Sequence, residues 1–254
     1  MKIFFDTEFT GLHKNTTLIS IGCVDEVGRT FYAELNDYDK SQCDDWIQRN
    51  VIKNLINDSN KITTKGNDWF VIGDKEYVAV ALSNWLKPYN DVQFVSDVCH
   101  YDMVLLIDLF GTAFDLPKGV SASCHDINQD IASYYGISEA KAFDLSRENI
   151  SDIIQGDKHN ALYDAKVIRS IYAKMNNVVF LNATQSELLD KKIDELNLSI
   201  RTKNFCKANG LNTVRDICRI EKTDWLKFRN SGIKSLSEIY NFLKDNGLDL
   251  GMNM

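Results

Sequence analysis

Three short apolar runs lie within the first 35 residues of the chain, and they constrain the fold more than any other feature. Lys2–Asp6 is apolar and aromatic, Leu18–Val24 is rich in β-branched residues, and Arg29–Leu35 alternates apolar with polar residues. Runs of this composition are typical of β-strands, and short connections join antiparallel neighbours. The sequence therefore predicts a sheet that begins with three antiparallel strands.

Segments of helical periodicity and one further apolar strand follow these runs. Helices are predicted at about residues 41–56 and at Lys75–Leu86, Asp102–Phe110, Cys124–Tyr135 and Asn160–Met175. The additional strand is predicted at Val92–Ser96. Three strands followed by alternating helices and strands predict an α/β fold, a mixed sheet with helices packed on its faces.

The chain of 254 residues is longer than a typical domain of roughly 100–200 residues, so one large and one small domain are expected. Residues 176–186 are mostly polar and unpatterned, which places the joint near 182–192. We therefore predict domains at 1–182 and 190–254. The second is expected to be all-α, with four or five short helices separated by Gly210, Gly232 and Gly247.

The apolar segments and the cysteines indicate a cytoplasmic protein. No apolar run approaches the roughly 20 residues that span a bilayer, and the apolar patch at the N-terminus is too short for a signal peptide. The six cysteines contain no close CxxC pair or Cys/His cluster, so we expect them to be reduced and mostly buried, without structural zinc. They are Cys23, Cys43, Cys99, Cys124, Cys206 and Cys218.

The net charge of −7 argues against a protein that coats DNA electrostatically. The charge is uneven, however: from Leu196 onward there are ten Lys and Arg residues against six Asp and Glu residues. The C-terminal region is therefore better suited than the rest of the chain to contact a negatively charged phosphate backbone.

Two carboxylates, Asp6 and Glu8, lie two residues apart at the end of the first predicted strand. The period of a strand places both side chains on one face of the sheet. Neighbouring carboxylates repel each other, and a divalent cation with oxygen ligands is the usual compensation. A solvated strand end is the other interpretation of this pair.

Further acidic residues follow on elements that could complete such a site. Asp102 comes just after the predicted strand Val92–Ser96, at the start of a helix. His159 and Asp164 are five residues apart, the aspartate inside a helix and the histidine at or just before its first turn. A lone His–Asp pair is more often a surface pair or a helix cap. The three pieces in this order indicate one shared site.

These residues resemble the motifs of the DEDD superfamily of 3′–5′ exonucleases, in its histidine-containing (DEDDh) branch. FDTEFTGL contains Asp6 and Glu8, the second motif ends in Tyr101–Asp102, and the third is His-x4-Asp, from His159 to Asp164. The DTEFTG sequence is most similar to that of a small branch of bacterial and phage exoribonuclease-like proteins. The resemblance covers about residues 1–175 and implies an RNase H-like fold.

The sequence departs from the family pattern in two places. The second motif usually reads His/Asn-x-x-Phe-Asp, whereas Val-Cys-His-Tyr precedes Asp102 here, which leaves Asp97 as a rival ligand. We favour Asp102. Residues 37–75 have no obvious family counterpart and would alter access of the substrate.

The resemblance implies hydrolysis of phosphodiester bonds with two Mg²⁺ or Mn²⁺ ions roughly 3.5–4 Å apart. Asp6 would bridge the ions, and Glu8, Asp102 and Asp164 would complete their ligands. His159 would take the proton from the attacking water, because an imidazole pKa of about 6.5 suits a general base. Phe9 and Leu12 would wedge or stack against the terminal base; ordinary packing is the alternative for both.

Residues 188–252 resemble a second family, the C-terminal domain of the bacterial RNA polymerase α subunit. The similarity runs from LLDKKIDELNLSIRTKNFCKANGLNTVRDI to the closing GLDLGM. This family is a bundle of short helices with helix-hairpin-helix character that contacts the DNA minor groove and other proteins. The resemblance ties the following residues to DNA contact or its support: Arg201, Asn204, Gly232, Lys234, Ser235 and Glu238.

Physical reasoning agrees with a nucleic-acid-binding role for this region. The turns at Gly210 and Gly232 precede predicted helices, so free backbone N–H groups could face a phosphate. Arg201 could reach into a narrow minor groove, and Glu238 is expected to orient a basic side chain. Glycine is also a routine helix terminator, so docking on RNA polymerase or a transcription factor remains the alternative.

The leading hypothesis is a 3′–5′ exonuclease with an appended nucleic-acid-binding domain, RNA being favoured over DNA as substrate. One alternative is a non-catalytic transcription modulator, against which the intact set of carboxylates and histidine argues. Another is a small-nucleotide or oligonucleotide hydrolase, but the appended domain favours polymeric substrates.

Overall fold

Strands and helices alternate along the first of two units, Met1–Asn176, in the computed structural model. The structure describes residues 1–56, 62–65, 68–181, 183–225, 228 and 233–252. The strands are β1 (Lys2–Phe9), β2 (Leu18–Asp25), β3 (Thr30–Leu35), β4 (Ile62–Lys65), β5 (Asp68–Gly73), β6 (Val92–Ser96) and β7 (Val120–Asp126). The helices are α1 (Asp45–Asn50), α2 (Lys75–Leu86), α3 (Cys99–Phe110), α4 (Ile127–Tyr135), α5 (Glu139–Phe143), α6 (Arg147–Ile150) and α7 (Ala161–Met175). Short 3-10 helices lie at Lys40–Gln42 and Ile52–Asn54.

The strands form one seven-stranded mixed sheet in the order β4-β5-β3-β2-β1-β6-β7. β1, β2 and β3 pair antiparallel, whereas β6 and β7 add in parallel beyond β1. β5 adds in parallel beyond β3, and β4 pairs antiparallel with β5. The predicted RNase H-like α/β arrangement, a mixed sheet flanked by helices, is confirmed.

The two faces of β1 pack against different helices. Phe5 belongs to the main core together with Trp85 of α2 and Leu106 of α3, all of them fully buried. On the opposite face, Phe4 contacts Tyr172 of α7, with the ring centroids 5.3 Å apart. Because side chains alternate along a strand, Asp6 and Glu8 lie on the α7 face.

A close contact fixes the position of the first turn of α7 on the sheet. A Cβ atom on Gly22 of β2 would lie 2.3 Å from the backbone of Ala161, so only glycine allows this approach. Ala165, Ile168 and Ile171 continue the buried face of the helix. The contact places the residues at the start of α7 beside the end of β1.

Several predicted boundaries are wrong in ways that reflect the fold. Cys124 was expected in a helix, but Val120–Asp126 is a strand and the helix begins at Ile127. β7 is the last strand of the sheet and pairs on one side only, so it lacks a strong apolar pattern. The predicted helix 41–56 is broken into α1 and two 3-10 helices, and β4 and β5 were not predicted.

Other predicted elements are confirmed. The first three strands, α2 and β6 occur where expected, and Asn160 caps α7 by accepting from the backbone N–H of Tyr163 at 3.2 Å. α3 begins at Cys99, three residues before the predicted start, so Asp102 lies in its first turn. All six cysteines are free, but only three of them are buried and three are half-buried, fewer than the predicted majority.

The second unit, Asn177–Met254, consists of short helices around a small apolar core. They are α8 (Ala183–Asp190), a 3-10 helix (Ile193–Glu195), α9 (Ile200–Ala208), α10 (Val214–Cys218), α11 (Lys222–Trp225) and α12 (Ile233–Asp245). α8 belongs to this unit because Leu189 is fully buried in its core. Gln185 also donates to the carbonyl of Gly247 at 2.9 Å. The predicted domains were 1–182 and 190–254.

Positive φ angles at Gly210 and Gly247, +74° and +66°, terminate α9 and α12. Gly232 lies outside the described residues. Among the helices of the described part of the protein, none combines the length and apolar character needed to cross a bilayer.

Candidate active site

Three carboxylates meet where the end of β1 faces the start of α7. The carboxylate oxygens of Asp6, Glu8 and Asp164 can all lie within 4.8 Å of one another. Asp6 and Glu8 come from one face of the strand, and Asp164 from the first turn of the helix that Gly22 admits. Residues far apart in the sequence are thus brought together as predicted from the motifs.

Asp102 approaches Asp6 from α3. It is 1% exposed and accepts hydrogen bonds from the backbone N–H and the hydroxyl of Thr7 at 3.2 and 2.5 Å, and from the hydroxyl of Ser96. Asp6, Asp97 and Asp102 form a second group whose oxygens lie within 4.8 Å of one another. Asp6 therefore belongs to both carboxylate groups, and both rival residues of the second motif lie near it.

A basic partner distinguishes Asp97 from Asp102. Arg147 of α6 donates its Nε to Asp97 at 3.0 Å, and both side chains are largely buried. The same guanidinium donates to the side-chain oxygen of Asn128 at 2.6 Å, while Asn128 donates to the carbonyl of Asp97 at 2.8 Å. The charge of Asp97 is thus compensated by the protein, whereas Asp102 accepts only neutral donors among the described residues.

Burial and mutual repulsion make this carboxylate cluster bind protons unusually tightly. Burial, followed by repulsion from Asp102, Asp164 and Glu8, raises the pKa of Asp6 well above its ordinary value. Burial is also the main cause that raises the pKa of Glu8 to about 8 and those of Asp102 and Asp164 to about 7. The hydrogen bonds from Ser96 and Thr7 oppose the rise of the pKa of Asp102.

The donor set suits divalent cations such as Mg²⁺ and Mn²⁺, which prefer carboxylate oxygens. The neighbouring basic groups do not neutralise the cluster: Arg147 pairs with Asp97, and Lys158 pairs with Glu148 at 2.9 Å. Within the residues that the structure describes, Asp6, Glu8 and Asp164 form no ion pair. Half-buried carboxylates this close together repel one another, and a bound cation would offset that repulsion.

His159 lies two residues before α7, next to the carboxylates. Its backbone has a φ of +63°, and its N–H donates to Asp164 at 2.9 Å. The imidazole packs edge-on against Trp46, with the ring centroids 5.0 Å apart at 75°. Burial and, secondarily, the positive charge of Lys158 lower the pKa of His159, so the ring favours its neutral form.

An open cavity of about 420 Å³ is lined by His159 and by the carboxylates of Asp6, Glu8, Asp97 and Asp164, whereas Asp102 lies behind it, fully packed in the protein. Phe143, Arg147 and Lys158 also line it, so apolar and basic side chains accompany the acidic ones. A cavity of this size could accept a terminal nucleotide, with its phosphate near the carboxylates.

Phe9 and Leu12, the two predicted base-contacting residues, differ in their surroundings. Phe9 stacks on Tyr101, with the ring centroids 5.2 Å apart and the planes at 13°, and it packs against the core. Leu12 is 76% exposed. Leu12 is therefore free to contact a ligand, whereas Phe9 is largely engaged within the protein.

Sequence reasoning missed Trp46 and Arg147 as residues of the site. Trp46 lies in the segment 37–75 that has no family counterpart, and Arg147 lies in the connection between the second and third motifs. Neither occupies a position that any motif marks. Tertiary structure alone brings them to His159 and Asp97.

In the second unit, four of the five predicted nucleic-acid-binding residues lie on α9 and α12, which pack against each other. Arg201 and Asn204 are placed on α9, and Lys234 on α12. Arg201 is exposed. Ser235, in contrast, is only 2% exposed, so the Ser235 hydroxyl is not available at the surface. Gly232 cannot be placed because it falls outside the described residues.

Two expectations for this unit are wrong. Glu238 accepts from the N–H and hydroxyl of Ser199, both at 2.7 Å, and from the hydroxyl of Thr202 at 2.5 Å, so its described partners include no basic side chain. After Gly210, Asp216 accepts the N–H groups of Asn212 and Thr213, both at 2.9 Å. These N–H groups are therefore not free to bind a phosphate.

Comparison with known proteins assigns the first unit. Residues 1–175, more than half of the sequence, match the family model of the 3′-5′ exoribonuclease Rv2179c-like domain. The protein belongs to this family. Membership implies a 3′–5′ exonuclease domain, as the motif resemblance predicted, and dependence on a divalent metal. Two solved structures are also similar to it.

One of these is titled "crystal structure of full-length 3'-exonuclease", with 14% identity, a TM-score of 0.48 and coverage of 69% of this chain and 81% of that one. The other is titled "3'-end specific recognition of histone mRNA stem-loop by 3'-exonuclease", with 15% identity and a TM-score of 0.47. It covers 68% of this chain and 62% of that one.

The C-terminal part of the exonuclease matches a different family. Residues 182–245 match the model of the C-terminal domain of the bacterial RNA polymerase alpha subunit. The DNA-directed RNA polymerase subunit alpha of Salinibacter ruber is 46% identical over 68 residues, which are 27% of this chain and 21% of that protein. The corresponding subunit of Moorella thermoacetica is 42% identical over 67 residues, 26% and 21% of the two proteins. The exonuclease spans about a fifth of the length of these curated relatives.

Proposed function

We propose that the first unit removes nucleotides from RNA 3′ ends with two Mg²⁺ ions, for which Mn²⁺ can substitute. Asp6, Glu8, Asp102 and Asp164 would hold the ions, and His159 would act as the general base. The observation that carries the proposal is the convergence of four carboxylates from β1, α3 and α7, one buried and three half-buried, beside one histidine. The family description supports RNA as the substrate.

The carboxylates would divide the work according to their positions. Asp6 belongs to both carboxylate groups, so it is suited to contact both ions. Asp164 has a second role, because it accepts the N–H of His159 and thereby fixes the base relative to the metal ligands. When bound, the two ions would stabilise the negative charge that develops on the attacking and leaving oxygens.

His159 would remove the proton from the attacking water. Its pKa is lowered by burial and by Lys158, so the imidazole is neutral near pH 7 and can accept a proton. Leu12, exposed near the first motif, would contact the terminal base; the stacking of Phe9 on Tyr101 favours a packing role for Phe9.

For the second unit we propose contact with duplex DNA, which would bring the exonuclease to RNA 3′ ends at transcribed genes. Arg201, Asn204 and Lys234 would contact the backbone or the minor groove. Ser235 would support this surface from within, and Gly232 would join it by the family resemblance. Docking on RNA polymerase is the second candidate, favoured by the match to its α subunit.

We further propose a cytoplasmic location. The six free cysteines suit a reducing compartment, and the nucleic-acid substrates are found there. The proposed domains are an exonuclease domain, 1–182, and a helical domain, 190–254.

The enzymatic proposal can be tested with end-labelled single- and double-stranded RNA and DNA in Mg²⁺, Mn²⁺ or EDTA. We expect shortening from the 3′ end, fastest on RNA, and complete loss of digestion in EDTA. Asp164→Ala should abolish digestion and leave a folded protein by circular dichroism, whereas Asp157→Ala, an exposed carboxylate nearby, should retain it. Undiminished digestion by Asp164→Ala would remove the assignment, and cleavage limited to short oligonucleotides would favour a small-substrate hydrolase.

A further inference from the structure

The segment 37–75, which has no counterpart in the family motifs, reaches the candidate active site. We infer that α1 and the 3-10 helix Ile52–Asn54 position the catalytic histidine, with Trp46 and Asn54 as the positioning residues. This inference rests on the proposed function, because it requires His159 to act as the base.

α1 is held firmly in place although it is only six residues long. Asp44 caps it by accepting the N–H of Ile47 at 2.8 Å. Ile47 and Val51 are buried and form a small apolar cluster with Ile19 of β2. The helix is therefore attached to the central sheet, and the orientation of its exposed side chains follows from that attachment.

A series of side-chain amides connects this helix to the backbone beside the base. Asn50 donates to the carbonyl of Trp46 at 2.8 Å, and Asn54 donates to the carbonyl of Asn50 at 2.7 Å. The amide of Asn54 also donates to the carbonyl of Lys158 at 3.1 Å. The residue that immediately precedes His159 is thus held by the segment 37–75.

The backbone at His159 requires such support. A φ of +63° lies in the left-handed region, which residues other than glycine rarely adopt. The bond to Asp164 holds one side of this residue, and Asn54 holds the other. Both contacts fix the direction in which the imidazole leaves the backbone.

Trp46 completes the arrangement at the ring. Its indole meets the imidazole edge-on at 5.0 Å and remains 52% exposed, so the residue contributes little to the apolar core. The alternative role for Trp46 is that the exposed face of its indole stacks on a nucleobase of the substrate. A positioning residue and a base-stacking residue make different kinetic predictions, because the first acts only through His159.

The variants Trp46→Ala, Trp46→Phe and Asn54→Ala separate these roles in digestion of an RNA oligonucleotide. We expect Trp46→Ala and Asn54→Ala to lower kcat by about 10- to 100-fold, the effect of misplacing a catalytic group, with KM nearly unchanged. Trp46→Phe should retain most of the activity, since it preserves an aromatic edge. Phe114→Ala, which removes a 99% exposed aromatic residue outside the site, is the control.

A double-mutant cycle with His159→Ala provides the decisive comparison. If Trp46 acts through His159, adding Trp46→Ala to His159→Ala will cause no further loss of kcat. The inference would be overturned in favour of base stacking if the two losses multiply and if Trp46→Ala raises KM relative to the wild type more for substrates with a terminal base than for abasic ones.

A measurement without catalysis keeps the two proposals distinguishable. The ring proton resonances of His159, assigned by their absence in His159→Ala, should shift in Trp46→Ala because the ring current of the indole is lost. An unchanged resonance, or full activity of Trp46→Ala while His159→Ala is slow, overturns the positioning role alone. Full activity of His159→Ala overturns the proposed base and, with it, this inference.

Discussion

The two units of the protein present their candidate functional residues in opposite environments. In the first unit, four carboxylates converge; Asp6, Glu8 and Asp164 are half-buried, and Asp102 is 1% exposed. In the second, the candidate residues Arg201, Asn204 and Lys234 lie on two short helices, and Arg201 is exposed. The repulsion among the carboxylates of the first site reduces the free energy of unfolding, whereas the exposed basic residues of the second have almost no effect on it.

This difference determines how much each environment says about function. Burying like charges destabilises a fold, so their retention indicates a ligand that compensates them. Exposed basic residues are solvated with or without a partner, and their geometry alone does not identify what they bind. Experiments on the first unit should therefore change activity strongly, and those on the second should change affinity modestly.

The largest expected effect distinguishes Asp102 from its rival Asp97. Asp102→Asn removes a charge that no basic group compensates among the described residues, so we expect a loss of kcat of about 10³-fold, the several kcal/mol that a metal contributes to the transition state. Asp97→Asn should lower kcat only about 10-fold, because Arg147 already neutralises Asp97 and an altered network would disturb the site indirectly. Both rates are measured on single-stranded RNA in saturating Mg²⁺.

Arg147→Ala is the matched control for the Asp97 network. It should reproduce the smaller loss and destabilise the fold by about 1.5–3 kcal/mol, the range for a lost hydrogen bond to a charged group. If Asp97→Asn is the more damaging of the two aspartate variants, Asp97 is the ligand and Asp102 is a structural residue.

The sequence predicted this site better than it predicted the elements that support it. Strand periodicity placed Asp6 and Glu8 on one face, and the motif order brought Asp102, His159 and Asp164 to them. Nothing in the sequence marked the contact of Gly22 with Ala161 or the pairing of Arg147 with Asp97, since both depend on tertiary packing. β7 was not predicted, and its last three residues were assigned to the following helix, because a strand at the edge of the sheet needs no strong apolar alternation.

An intermediate effect is expected on stability as a function of pH. The pKa values of Glu8, about 8, and of Asp102 and Asp164, about 7, lie above those of unfolded carboxylates, so the folded state retains protons that the unfolded state releases. Without metal, the free energy of unfolding should therefore fall as the pH rises from about 5 to 9, by about 1.4 kcal/mol for each tenfold change in proton affinity. Urea titrations in EDTA at several pH values measure this slope.

Saturating Mg²⁺ should reverse much of the loss, because cations bind the deprotonated carboxylates of the folded state. Glu8→Gln should flatten the slope in EDTA by removing the group with the raised pKa of about 8. Stability that instead increases with pH in EDTA would show that these carboxylates are compensated within the protein, contrary to the description of the site.

In the second unit, family resemblance predicted positions but not the partners of the side chains. Arg201 is exposed as a binding surface requires. Glu238 was expected to orient a basic group, yet it accepts from Ser199 and Thr202 at the start of α9. Short polar side chains compete for the same acceptor, and sequence patterns do not rank such local alternatives.

The smallest expected effect tests whether this surface binds DNA. Arg201→Ala combined with Lys234→Ala should weaken binding of duplex DNA and lower the dependence of log K on log salt by about 2, one for each lost phosphate contact. Lys244→Ala is the control, since Lys244 already pairs with Asp249 at 3.1 Å. The kcat for a short RNA oligonucleotide should be unchanged in both variants, because neither alters the carboxylate site.

If the double variant binds duplex DNA with the same affinity and salt dependence as the wild type, the basic side chains of α9 and α12 do not contact phosphates. Docking on a protein such as RNA polymerase then becomes the better account of the second unit.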